Sequence, residues 1–140
     1  MRAIPLFRER PLAVQAILGL VVPAAFGAIV GIALGISSGL YWALSLVALV
    51  GGVLGGLEHR DGWEGADRGL VAGAVFGTFL LIAHAIAGTH AHAKLPGFEP
   101  FFAVGTALIG MLASALGGCV RYRLIGLPPG VEPVRRAGSG

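Results

Sequence analysis

The residues of this chain best suited to chemistry are its four histidines and a run of evenly spaced acids. His84, His90 and His92 are the candidate metal ligands, because imidazole suits Zn, Cu or Ni. His90 and His92, two residues apart, could chelate from an extended segment. No cysteine or carboxylate completes a recognisable ligand pattern beside them, and Glu99 is the nearest acid. A polar surface loop is the plainer reading, so no metal and no cofactor is assigned. His84 stands within an apolar stretch, where an ionisable side chain is a functional candidate by default. It lies toward the end of that stretch, where a neutral imidazole can also serve as a hydrogen-bonded packing group.

The acids Glu58, Asp61, Glu64 and Asp67 recur every third residue in the segment Glu58, His59, Arg60, Asp61, Gly62, Trp63, Glu64, Gly65, Ala66, Asp67, Arg68. On a helix that spacing drifts slowly round one face. It could present a cation or a partner protein with a docking edge. The simpler reading has Glu64 and Asp67 near the start of a helix, where the macrodipole favours anions. Arg60 and Arg68 then pair with them, and Trp63 anchors at a membrane interface.

The elements that hold these groups follow from the charge distribution. Residues 11–57, 69–93 and 100–120 contain no Asp, Glu, Lys or Arg. A helix needs roughly 20 apolar residues to cross a bilayer. The first stretch suffices for two crossings and each of the others for one. Charged residues make up 12% of the 140 and hydrophobic residues 56%, respectively below and above the usual values for a soluble domain. The expected fold is all-α: a polytopic membrane protein, a four-helix transmembrane bundle with helices at about 11–38, 40–57, 66–88 and 101–123. A short arm, residues 1–10, precedes the 11–124 transmembrane domain, and a flexible tail, 125–140, follows it. The apolar run after Arg8 and Arg10 outlasts a signal peptide, so an uncleaved first helix is expected. Pro11 suits a first helical turn. Pro23, in mid-span, predicts a kink or a local opening.

Arginines cluster in the arm, in the Arg60–Arg68 hairpin and near the C-terminus, whereas the other two connections carry only Lys94. The positive-inside rule then puts both termini and the hairpin in the cytoplasm, in a cytoplasmic or plasma membrane. The same rule accounts for the basic pI near 9.8. The partner expected is the lipid bilayer with its anionic headgroups, and no nucleic acid. Cys119 is the lone cysteine, so no disulfide forms within one chain.

The two halves resemble each other. Residues 19–27 and 69–77 agree at six of nine positions. Tyr41-Trp42-Ala43 resembles Phe101-Phe102-Ala103, and Val53-Leu54-Gly55-Gly56 resembles Ala115-Leu116-Gly117-Gly118. Two hairpins starting on the same side make parallel repeats, unlike inverted-repeat carriers. Glycine recurs every fourth residue at Gly27, Gly31, Gly35 and Gly39, and again at Gly65, Gly69, Gly73 and Gly77. Such glycine zippers let helix backbones approach closely in lipid, either within one bundle or between copies in a homo-oligomer. Gly51/Gly55, Gly52/Gly56, Ala113/Gly117 and Ser114/Gly118 add shorter versions.

No H-E-x-x-H or Walker pattern is present, and the span interiors lack Asp, Glu and Lys. A catalytic role is therefore not expected. The leading expectation is a small oligomeric channel- or transporter-like protein passing a small ion or solute. Its path would be lined or abutted by the zipper glycines with Gln15, Ser45, Thr78, His84, Thr106 and Ser114. The alternative is a non-catalytic scaffold or accessory subunit of a larger membrane complex. It would dock a membrane-protein partner through the Glu58–Arg68 hairpin.

Overall fold

The computed structural model of the protein describes residues 6–94 and 99–125. The tail from residue 126, with Arg135 and Arg136, lies outside the described residues, as does Pro96. Among the described residues every regular element is helical: a 3-10 turn Phe7–Glu9, α1 Leu12–Ala16, a π-helical turn Ile17–Val21, α2 Val22–Leu34, α3 Ser38–Gly56, α4 Gly62–Ala87 and α5 Glu99–Ile125. Among the described residues four helices are long and apolar enough to cross a membrane: Leu12–Leu34, Ser38–Gly56, Gly62–Ala87 and Pro100–Leu124. Large apolar side chains on all four face outward, among them Leu12, Ile29, Leu46, Leu54, Val71, Ile86 and Leu112. A surface this apolar suits a lipid environment. The chain is thus built as an integral membrane protein.

The helix ends have local causes. Pro23 has no N–H to give to the turn before it. The chain opens there into a π turn, with the Val22 N–H reaching back to the Ile17 carbonyl. Helix one stops at Leu34, short of residue 38, because Ser37 turns extended and its hydroxyl accepts the Leu40 N–H at 3.2 Å, capping α3. Gly88 ends α4 in the left-handed conformation, at φ 61°, where glycine is favoured.

α4 also departs from the expected bounds, starting at Gly62 rather than residue 66. Asp61 is its N-cap, accepting the Glu64 N–H at 2.9 Å. The Glu64 carboxylate returns to the Arg60 N–H at 3.3 Å. This is close to the reciprocal pairing of a capping box. Trp63, Glu64, Asp67 and Arg68 consequently sit on the helix, and the hairpin shrinks to residues 57–61.

α4 is the central stave, packed along α5 on one side and α2 on the other, while α3 leans mainly on α5 and lightly on α2. Helix α2 and α4 run parallel, with Gly27 against the Phe76 backbone and Gly31 against the Leu80 backbone. Antiparallel α5 meets α4 at Gly69 and Gly110, Gly73 and Thr106, and Gly77 and Ala103. Val30, Leu34, Tyr41 and Leu80 form the buried apolar cluster, flanked by Phe26, Leu44, Phe76 and Phe102.

Candidate functional site

The densest set of polar contacts lies at the bundle end that holds the arm and the 57–61 hairpin. The 3-10 turn is pinned there by the Phe7 N–H, which donates to the Glu58 carbonyl at 2.9 Å. Arg10 reaches the Glu58 carboxylate at 2.7 Å, and Arg8 lies 3.5 Å from Glu64. The Gln15 amide donates to the Arg10 carbonyl at 2.8 Å, tying the arm to the first turn of the span. On the far side of the hairpin, Arg121 of α5 donates to the Leu57 carbonyl at 2.6 Å.

Phe7 is buried at the centre of this end. Its ring stacks on His59, with centroids 5.6 Å apart, and Arg68 lies over it with Cζ 3.6 Å from the ring centroid. A cation over an aromatic face is attracted by the ring quadrupole. Arg68 fits because Gly19 has no side chain: a Cβ there would sit 2.6 Å from its Nη1. His59 is 5% exposed. Its Nδ1 lies 3.1 Å from the Gly55 carbonyl and must donate to it, whereas Nε2 is buried without a partner. Burial holds the imidazole below its ordinary pKa, the Gly55 carbonyl works against that, Arg68 adds to it and Glu64 opposes it.

The remaining hairpin residues are spread over the surface. Arg60, Asp61 and Asp67 are exposed, and Trp63 is 81% exposed at the start of α4. The acids therefore form no single edge: Asp61 caps a helix, Glu58 and Glu64 pair with the arm, and Asp67 points away.

The candidate lining groups do not converge within one bundle. Ser114 is buried, with its backbone against Gly56 and Gly65 and its Cβ against Gly69. The Thr106 hydroxyl donates to the Ala103 carbonyl at 2.9 Å and lies under Gly77. Thr78 is exposed and its hydroxyl returns to Ala74 at 2.8 Å. Ser45 is half-buried on α3. Gly35 is closed by the Thr89 side chain. His84 is half-buried near the end of α4, with Nδ1 enclosed and without a hydrogen-bond partner, while His90 and His92 are exposed. Among the described residues no three His, Cys, Asp or Glu side chains come together as metal ligands.

Sequence reasoning passed over Phe7 and Gly19. An aromatic residue one position before Arg8 was the available signal for the first; the second depends on a pairing across helices that no local pattern carries. Comparison with known proteins gives no matching family model, no matching curated sequence and no similar solved structure.

Proposed function

We propose that the chain is an oligomeric membrane protein of the channel or transporter type, passing a small ion or solute along the seam between copies rather than through one bundle. The observation that carries this reading is a difference between glycines. Gly27, Gly31, Gly69, Gly73 and Gly77 each have another helix of the same chain against them, whereas Gly51 and Gly55 on α3 have nothing within 4 Å. In lipid, small residues four apart draw helices together by close backbone packing. We read the first set as zippers that close the protomer, built from two parallel hairpin repeats. The Gly51/Gly55 face is the one assigned to contact with a second copy. Thr78 and Thr106 turn their hydroxyls back onto their own helices, which leaves little polar lining inside a single bundle and favours a path between copies. The arginine bias orients the assembly with both termini in the cytoplasm. The reading includes no enzymatic activity and no cofactor.

The test is the mass of the purified protein in lipid nanodiscs, with and without the paired change Gly51→Leu and Gly55→Leu. The wild type is expected to hold several copies and to pass ions when reconstituted alone. The paired variant is expected to fall to the protomer with its thermal stability retained. A monomeric wild type, or an assembly that survives the change, sinks the α3 interface.

A second reading has its own support. Trp63 and Asp67 stand exposed together on the first two turns of α4, where a partner subunit of a larger complex could dock. An assembly that is electrically silent alone and loses a co-purifying membrane protein on Trp63→Ala with Asp67→Lys would favour this scaffold role over transport.

A further inference from the structure

We propose that the N-terminal 3-10 turn is a proton-sensitive clasp, held on the hairpin by neutral His59 and released when His59 is protonated. The clasp consists of few parts. Phe7 supplies the ring that meets both the His59 imidazole and the Arg68 guanidinium. Its N–H makes a backbone hydrogen bond between the arm and the hairpin, to the Glu58 carbonyl at 2.9 Å. The Arg10–Glu58 and Arg8–Glu64 pairs flank it. The Arg8–Glu64 pair is exposed on its arginine side and contributes little, typically under about 1 kcal/mol, so the Phe7 contacts and the part-buried Arg10–Glu58 pair carry much of the hold.

His59 is the part of the clasp that can change state near neutral pH. With Nδ1 donating to Gly55, the neutral ring presents only a lone pair at Nε2, and no donor faces it. A proton there would be a buried N–H without an acceptor, on a cation close to Arg68. Leaving such a group unsatisfied is costly. The charged groups around the ring do not form a ready counter-ion. Glu64 and Arg68 face it from α4, and Glu58 and Asp61 share its loop. Arg8, Glu9 and Arg10 belong to the arm, and Arg121 of α5 binds the Leu57 carbonyl. Glu58 is engaged by Arg10, Glu64 by Arg8 and the Arg60 N–H, Asp61 by the Glu64 N–H, and Glu9 by the Leu6 N–H.

The direction of the effect follows from linkage. Burial lowers the His59 pKa in the docked state. In the released state the ring returns toward the ordinary value near 6.5 and binds the proton more readily. Docking is therefore strongest above that value and is lost as the pH falls below it. One unit below the ordinary value the docking constant falls by up to about tenfold.

The experiment is deuterium exchange at the Phe7 and Arg10 amides of the full chain in nanodiscs, corrected for the intrinsic pH dependence of exchange. Between pH 7.5 and 5.5 the wild type is expected to lose up to about tenfold in protection. His59→Gln, which removes the titration, is expected to show no such loss, and it separates this site from His84, His90 and His92. Unchanged protection in the wild type, or the same loss in His59→Gln, overturns the clasp. If His59→Gln fails to fold, the imidazole of the wild type is titrated directly by NMR. A His59 that titrates at or above the ordinary value overturns the proposal as well, and one that titrates below it in step with amide exposure supports it.

Discussion

A methyl group added at Gly31 would have to occupy space already held by the Leu80 carbonyl, whereas one added at Gly55 would meet nothing within 4 Å. The same substitution thus has opposite consequences at two glycines that look alike in sequence. Gly31→Ala is expected to force α2 away from α4, a loss of roughly 1–3 kcal/mol for overpacking. Gly55→Ala removes a flexible residue from a helix face that is open within the protomer and should stabilise the detergent-dispersed protomer by up to about 1 kcal/mol. Reversible unfolding in mixed detergent measures both, and equal effects would contradict the contacts described. The four-residue spacing of the glycines was legible without a structure. Which of those faces are closed was not, because closure depends on the register between helices far apart in sequence. The residue-level chemistry was legible in part. His84 and the acids drew notice as ionisable groups, whereas His59, read only as part of the hairpin, also carries an unpartnered buried nitrogen, and the docked Phe7 ring covers it.

Among the elements, the first span departs most from a regular helix. The π turn Ile17–Val21 holds one residue more than an α turn would. Each residue advances a helix by about 100°, so the turn sets which face α1 offers relative to α2. It brings Gly19 onto Arg68 while Gly27 and Gly31 stay against α4. Pro23→Ala restores the missing donor and should let the turn close into α-helix. Such a change normally favours a helix; here it is expected to lower the melting temperature, since α1 would rotate out of register. A rise in melting temperature would mean that the turn is incidental. Pro23 and a local opening were foreseen from sequence. The start of α4 was placed late because Glu64 and Asp67 were read as dipole and ion-pair acids, although Asp61-x-x-Glu64 has the spacing of a capping box. Helix propensity and apolar length fix that a span exists; its first turn is decided by one side-chain acceptor.

For the whole molecule, the number of spans followed directly from charge-free lengths, but the arrangement of the staves did not. α4 is central and α3 peripheral, an asymmetry invisible in two halves of similar composition. The charged groups of the arm, the hairpin and the end of α5 gather at one end of the bundle, with His90, His92 and Lys94 at the other. With Cys119 replaced by Ser, a cysteine introduced at Arg60 is expected to react with a membrane-impermeant thiol reagent only from the cytoplasmic side. One introduced at His90 should react only from the opposite side. The reverse pattern would overturn the orientation drawn from the arginines.

The light attachment of α3 also bears on how the protein is made. Within the bundle α3 buries only Tyr41 and Gly56. Its glycine contacts are with Ala113, Ser114 and Gly117, on a helix that leaves the ribosome after it. During synthesis the second span therefore enters the bilayer before the stave that holds it exists. It must wait in lipid with only its lighter contacts to α2 and α4, and with the lowest hydropathy of the four spans, until α5 arrives. A nascent chain halted after α4 would display the α5-facing side of α3 to its neighbours, and insertion chaperones or a second nascent copy would meet it there first.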